Sequence, residues 1–208
     1  NIVLYGCGDM GFQAYNILKH NGNYEVIGFL DDNLSNRGKN YLGLPVYGGS
    51  NELPKLIDEY KLEGGIATIG SNKIRYEKSQ IFKAAGLQLI TAIHPQTLID
   101  SPEQIGEGTI VEIGASIHPG AIIGEGVFLG GGSLIAHGSR VGKYSLIAGG
   151  VIFGGCAKVG EYTLVGVGAC LSPYVNVGNN VLVGTGAAVT KDLPDNIVAV
   201  GVPAKKLR

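Results

Sequence analysis

Cationic excess is the first thing this 208-residue chain lacks: sixteen Lys and Arg stand against seventeen Asp and Glu, for a net charge of −1. Without a basic stripe or tail, binding to the phosphate backbone of nucleic acid is not expected. There is no run of about 18 apolar residues, so no membrane-spanning helix is expected, and the positive mean hydropathy points to buried structure. The opening residues have no secretory pattern, because Ile2–Tyr5 is a short apolar run that enters a glycine turn at once. Cysteine is scarce as well. Cys7, Cys156 and Cys170 have no ligand spacing and read as reduced, mostly buried thiols. These absences fit a cytoplasmic protein. Charge is low at 16% while 45% of residues are hydrophobic, which excludes a disordered chain.

What the chain has in excess is glycine: 35 of 208 residues, or about 17% against roughly 7% in average usage. No G-X-Y period accompanies it, so collagen is excluded. Residues 1–104 hold 13 glycines and 20 of the charged residues, while residues 105–208 hold 22 glycines and 13 charged residues. This asymmetry predicts two domains. The expected division is an α/β domain over 1–93, a junction over 94–104, a repeat domain over 105–194 and a closing tail over 195–208.

The second half repeats every six residues. From Ile105 onward, fifteen consecutive positions (among them Val111, Ile117, Ile123, Leu129, Ile135, Val141, Ile147 and Phe153, ending at Val189) are aliphatic or Phe. The next residue is glycine in nine hexads, and the fourth is small or β-branched, as in Thr109, Ala115, Ser133 and Ser139. Neither a period of 3.6 nor one of 2 explains six. A hexapeptide period fits a parallel β-helix in which each hexad makes one face and turns a corner. The aliphatic residue then fills the core, and glycine serves the corner by positive φ or close backbone approach. Three hexads make an 18-residue coil, with adjacent coils about 4.8 Å apart.

The first half reads as a small Rossmann-like unit. Strand Ile2–Tyr5 leads into Gly6-Cys7-Gly8-Asp9-Met10-Gly11, then a helix from about Phe12 to His20 and a strand Glu25–Leu30 that ends in Asp31-Asp32. Glycines at this spacing let backbone approach a phosphate at a helix N-terminus, and the acid about 20 residues on accepts from a ribose or a base. A helix near Glu52–Tyr60, a strand Ile66–Ile69, a helix Lys73–Ala85 and a strand Leu87–Ile93 should follow. A domain of this size suits a mononucleotide such as a nucleotide-sugar better than NAD.

The glycine motif, Phe29-Leu30-Asp31-Asp32, Ile69-Gly70-Ser71-Asn72 with Arg75, Ile93-His94-Pro95, the hexads and Gly201-Val202-Pro203-Ala204-Lys205 together span nearly the whole chain. In this order they resemble the nucleotide-amino-sugar acetyltransferases of the sialic-acid O-acetyltransferase-like group. The resemblance implies a left-handed parallel β-helix, a homotrimer, acetyl-CoA bound between neighbouring β-helices, and an N-terminal domain that takes the nucleotide end of a nucleotide-linked amino sugar. It implies that His137 is the general base, that the Gly155 N–H polarises the acetyl carbonyl, and that Gly149, Gly155, Val167, Thr185, Pro203 and Lys205 contact coenzyme A. It places Gly6, Gly8, Asp9, Met10, Gly11, Asp31, Asp32, Asn72 and Arg75 at the nucleotide-sugar, in a pathway of polysaccharide biosynthesis.

Moving acetyl from a thioester to an amine needs a base and an oxyanion donor, and positioning supplies much of the acceleration. Of the four histidines, His137 holds a non-core hexad position. His118, nineteen residues earlier, lies on the adjacent coil of the same face. His94 beside Pro95 reads as a joint, and His20 ends a helix, where a cation is favourable. A three-imidazole zinc site of the kind γ-carbonic anhydrases carry would need a close His pair that these spacings do not supply, so no metal is expected. The chain departs from the family at four places: Gly130, Gly138, Leu146 and Met10 stand where polar residues are usual. O-acetylation of a sugar such as sialic acid, and a non-catalytic nucleotide-sugar-binding or assembly role, are the alternatives to N-acetyl transfer.

Overall fold

The structure, a computed structural model, describes residues 1–101 and 104–207. The chain forms two compact units, Asn1–Ala92 and Ile93–Arg208.

The first unit carries strands β1 (Ile2–Tyr5), β2 (Val26–Leu30), β3 (Asn40–Tyr41), β4 (Leu44–Gly48), β5 (Gly64–Ala67) and β6 (Gln88–Leu89), with helices α1 (Asp9–Asn21), α2 (Leu53–Tyr60) and α3 (Asn72–Ala84). The sheet order is β3-β4-β2-β1-β5-β6. All pairs are parallel except the β3–β4 hairpin. All four residues of β1 are fully buried, as expected of a central parallel strand covered on both faces. The chain moves outward from β1 through β2 and then returns to β5 on its other side, which makes a switch point at the C-terminal ends of β1 and β5.

Several elements differ from their sequence expectations for identifiable reasons. Helix α1 starts at Asp9, with Gly8 as its N-cap, so half of the glycine motif is helical. Strand β5 begins two residues early, at Gly64. Its glycines let α3 pack closely, since a Cβ on Gly65 would lie 2.5 Å from the Phe82 ring. The expected strand over 87–93 is broken into Gln88–Leu89 and Ala92–Ile93. The β3–β4 hairpin was not expected, because Pro45 makes a weak strand signal; Pro45 lies on the antiparallel β3 side, where it pairs with Asn40.

In the second unit, two-residue strands stack in three parallel sheets at a strict 18-residue offset, for example Ser116 on Leu134 and Lys158 on Asn176. Fourteen of the fifteen repeat positions are buried, Ile105 at the first coil being intermediate. They form one continuous core. This is the parallel β-helix that the period predicts. The helix also begins earlier than expected: Leu98–Ile99, inside the segment read as a junction, pairs with Ser116–Ile117 as part of the first coil. Residues 102 and 103 of that segment, and Arg208 of the expected tail, lie outside the described residues. Part of the expected tail also continues the helix, since Val198–Val200 pairs parallel to Leu182–Val183 before Lys205–Lys206 folds back antiparallel.

Glycine has two separate jobs here, which correct the single corner role read from the sequence. The nine glycines that follow the aliphatic position do not take positive φ. They admit the next coil: a Cβ on Gly142 would lie 2.5 Å from the Gly160 carbonyl carbon. Positive φ falls two residues later, at every third residue after the aliphatic one from Gly108 to Gly186. Nine of those fourteen residues are glycine, and the others are Tyr144, Cys156, Tyr162, Tyr174 and Asn180.

Candidate functional site

The β-helix ladder uses its amides in a fixed order. In each hexad the N–H after the aliphatic residue donates to the next coil, as Gly154 does to Leu171 O at 2.8 Å. The N–H two further on donates to the preceding coil, as Cys156 does to His137 O at 2.8 Å. The N–H between these two points outward and takes no ladder bond. Side chains satisfy it at Gly131, from Glu112 Oε2 at 2.7 Å, and at Glu161, from Asn179 Oδ1 at 2.8 Å. At Gly155 this same outward N–H has no partner among the described residues.

Three glycines occupy this outward position: Gly131, Gly149 and Gly155. His137 occupies it one coil before Gly155, and its ring lies directly over the glycine. A Cβ built on Gly155 would meet His137 Nε2 at 2.5 Å and Cε1 at 2.7 Å. The structure thus brings a solvent-exposed imidazole and a spare backbone donor together on adjacent coils. Among the described residues the imidazole has no hydrogen-bond partner. Gly138, where the family carries an acid, is a positive-φ position (+66°) closely approached by Cys156 Sγ. Local backbone and packing therefore favour glycine there.

The remaining coenzyme A candidates lie on a neighbouring corner. Gly149, Val167 and Thr185 hold the outward position on successive coils, one hexad before the corner of His137 and Gly155. The two corners flank a single face of the helix, made by strands at 116–117, 134–135, 152–153, 170–171 and 188–189. Its outward side chains are Ser116, Leu134, Ile152, Cys170 and Ala188. The tail closes the end of this face: Gly201 O accepts from Ala188 N at 3.0 Å, and Ala204 N donates to Ala188 O at 2.7 Å. That brings exposed Pro203 and Lys205 to the last coil. His118 sits one coil below His137, beside a cavity of about 400 Å³ that Leu98, Asp100 and Pro119 also line. Among the described residues no group of three His, Cys, Asp or Glu is placed to hold a metal ion.

In the first unit, the loop after β1 is fixed by close packing. Gly6 has φ +112°, and a Cβ there would lie 2.8 Å from Thr68 O. Gly11 is pressed on the Gly6 carbonyl, whereas Gly8 has open space around it. The motif thus exposes backbone at Gly8 and at the uncapped start of α1 beside exposed Asp9. Met10 is buried, with 8% exposure, and turns into the unit instead of toward the loop. Arg75, which the resemblance places at the ligand, is 1% exposed. Its guanidinium donates to Ile69 O at 3.0 Å and to Asn72 Oδ1 at 3.0 Å. It supports the turn after β5, and Asn72 is engaged with it.

The two acids diverge. Asp31 accepts from Cys7 N at 3.2 Å, Cys7 Sγ at 2.9 Å and Asn33 N at 2.8 Å. Burial alone would raise its carboxyl, but these bonds outweigh burial and hold it below the usual value. Burial and the neighbouring Asp31 push the Cys7 thiol up to about 11, so the thiol stays protonated as a donor. Asp32 accepts from Tyr5 OH at 2.6 Å and pairs with Lys78 Nζ at 2.5 Å. Here too burial acts upward and is overcome, by Lys78 first and then Tyr5. Tyr41 OH reaches Gly8 O at 3.1 Å. Tyr5, Lys78 and Tyr41 went unnoticed in the sequence, and Cys7 was set aside as a buried thiol although its place inside the glycine motif was a visible signal.

Residues 1–82 match the PglD N-terminal domain family, and residues 104–137 match the bacterial transferase hexapeptide (six repeats) family. Curated protein sequences gave no match. Among solved structures, PerB from Caulobacter crescentus, in complex with CoA and GDP-perosamine, is 31% identical, with 99% of this chain and 96% of that chain covered and a TM-score of 0.92. The acetyltransferase domain of PglB from Neisseria gonorrhoeae FA1090, in complex with acetyl coenzyme A, is 29% identical, with 99% and 98% covered and a TM-score of 0.90. WeeI from Acinetobacter baumannii AYE shares the fold at 22% identity, with 99% of both chains covered and a TM-score of 0.67. With the repeat unit, the preceding α/β unit and their order all matched over almost the full length, the chain belongs to the left-handed β-helix, hexapeptide-repeat family of nucleotide-amino-sugar acetyltransferases that contains PerB and the PglB acetyltransferase domain.

Proposed function

We propose that this protein transfers acetyl from acetyl-CoA to the amino group of a nucleotide-linked sugar. The observation that carries the reading is the placing of the His137 ring over Gly155, whose outward N–H is spare. The sugar amine attacks the thioester carbonyl while His137 takes its proton. The oxyanion that forms accepts from the Gly155 N–H. Collapse then breaks the C–S bond, coenzyme A leaves as a thiol with the proton returned from the imidazolium, and the sugar keeps an amide. No covalent enzyme intermediate is needed. Without a carboxylate to orient it, His137 relies on its packing against Gly155 and on bound substrate.

Coenzyme A would run along the face between the two corners, past Gly149, Val167 and Thr185 and under Pro203 and Lys205. Val167 is 56% exposed and Ile152 40%, and exposed apolar groups on this face are consistent with cover by a second copy in a homotrimer. The open backbone at Gly8 would take the diphosphate of the nucleotide-sugar. In support, PerB was solved with CoA and GDP-perosamine.

The test is thiol release from acetyl-CoA with a panel of UDP-, GDP- and dTDP-linked amino sugars. One of them should stimulate release, and His137→Ala should lower kcat by about 10²- to 10⁴-fold without loss of fold, because the side chain is exposed. If no sugar stimulates release and His137→Ala changes nothing, the reading is wrong.

A further inference from the structure

Helix α3 turns two cations toward the sheet from its inner face, Arg75 and Lys78, three residues apart. Arg75 is spent on backbone carbonyls. Lys78 is not: its ammonium bonds Asp32 Oδ2 at 2.5 Å and lies 4.8 Å from the centre of the Tyr5 ring. The Tyr5 hydroxyl, on a fully buried residue, donates to the other oxygen of the same carboxylate. Gly49 closes the third side, where a Cβ would come within 2.7 Å of Asp32 Oδ1. Asp32 is thus gripped at both oxygens from within the unit while its side chain remains 52% exposed. Each carboxylate oxygen has a further lone pair, and the exposed part of the side chain leaves room for a ligand to reach one.

Asp31 is built for another purpose. Its two oxygens serve the Cys7 amide and thiol and the Asn33 amide, so it fastens the loop after β1 to the loop after β2. We propose that Asp32 alone of the pair reads the nucleoside, and that Lys78, with Tyr5, is the positioning residue that keeps it a fixed, permanently ionised acceptor. The ligand group it selects is a hydrogen-bond donor: a nucleobase ring N–H or a ribose hydroxyl. This rests on the reading that the first unit takes the nucleotide end of the substrate. Without Lys78, Asp32 would stand beside the like charge of Asp31 with only a phenol to hold it. It would rotate away or take up a proton, and a protonated carboxyl presents a donor where an acceptor is required.

Calorimetric titration of the full chain with GDP, UDP, dTDP, ADP and CDP, and with dGDP and dUDP, tests this. Wild type should bind at least one ribonucleoside diphosphate. Asp32→Asn and Lys78→Met should each weaken that binding roughly ten- to hundredfold, the scale of a hydrogen bond to a charged group. Lys78→Arg should stay within about threefold, since the charge and a donor are kept. In turnover, Lys78→Met should raise KM for the nucleotide-sugar and leave kcat unchanged, which general loss of structure would not do. An effect of Asp32→Asn on GDP or UDP that vanishes with the deoxy forms assigns the ribose 2′-hydroxyl, and one that persists with all seven, ADP and CDP included, assigns the 3′-hydroxyl. An effect that persists there and is absent with ADP and CDP assigns the base N–H.

Wild-type affinity in Asp32→Asn or in Lys78→Met overturns the proposal while leaving the nucleotide reading intact. Failure of wild type to bind any of the seven overturns both. Should Lys78→Met not fold, Tyr5→Phe removes one donor without changing the packing. It should weaken binding several-fold, and unchanged affinity would overturn the proposal.

Discussion

In the α/β unit both candidate carboxylates and the turn beside them are held by other side chains: Asp32 by Tyr5 and Lys78, Asp31 by Cys7, the turn after β5 by Arg75. In the β-helix, His137 and Gly155 are held by a backbone ladder that repeats every coil, and among the described residues no side chain hydrogen-bonds to either one. The first arrangement concentrates its precision in a few partly buried polar contacts, each costly to lose. The second spreads it over many equivalent amides, so that no single side chain carries the geometry. Substitutions of similar size should therefore act differently in the two units.

The largest difference is expected at Arg75. Arg75→Met removes a buried guanidinium and with it the bonds to the Ile69 and Gly70 carbonyls and the Asn72 side chain, all partly buried, at a cost of about 2–4 kcal/mol. The loss should fall on the first unit. Native-state hydrogen exchange should show faster exchange in β5 and α3, with the coil amides of the β-helix unchanged. Equal loss of protection in both units would break the comparison.

Gly155→Ala sharpens it from the other side. The new methyl group falls where His137 Nε2 and Cε1 now lie, 2.5 and 2.7 Å from the ideal Cβ position. The imidazole is at the surface and can move aside, so the melting temperature should hold. A base displaced by about 1 Å should cost on the order of 10²-fold in kcat/KM. A variant that melts early and keeps its turnover would show that the ring serves packing instead.

How far the sequence reveals each unit follows from the same difference. The β-helix was legible nearly residue by residue, because one six-residue rule, repeated fifteen times, sets core, corner and register together. It misled only at the ends, where Leu98–Ile99 and Val198–Val200 join the coils outside the strict hexads, and on glycine, where two columns were read as one. In the α/β unit the strand–glycine–helix–acid order was visible, but the contacts that matter join residues far apart in sequence. Tyr5 to Asp32 spans 27 residues, and Lys78 to Asp32 spans 46 by their numbering. No local pattern announces such a pair. Arg75 was placed at the ligand by the family resemblance alone, and no local pattern shows that its side chain is buried against the turn after β5.

The two glycine columns offer a comparison inside the β-helix. Gly142 takes an ordinary φ, but a Cβ on it would meet the Gly160 carbonyl carbon at 2.5 Å and the Glu161 amide at 2.6 Å. Gly150 has φ +67° and open space around it. Gly142→Ala must separate two coils and should cost about 1–3 kcal/mol, as overpacking does. Gly150→Ala pays only the left-handed conformation, about 1 kcal/mol, which Tyr144 and Cys156 already accept elsewhere in the column. Chemical denaturation of the two variants should rank them in that order.

The smallest effect should come from a pair of core serines. Ser145 Oγ donates to Gly160 O at 2.7 Å and accepts from Thr163 N at 3.0 Å. Ser139 and Thr109 donate in the same way to Gly154 O and Gly124 O. Ser133 sits at the equivalent place one coil earlier than Val151, fully buried, and its hydroxyl has no partner among the described residues. Fifteen residues on, where the other hydroxyls find a glycine carbonyl, the sequence has Ala148. Ser145→Ala leaves two buried backbone groups short of a partner and should lose about 1 kcal/mol, whereas Ser133→Ala removes an unsatisfied hydroxyl and should be neutral or gain up to about 1 kcal/mol. Opposite signs from chemically identical substitutions would show that even in a strict repeat the side-chain hydrogen bonds are decided coil by coil, while the backbone ladder that positions His137 is not.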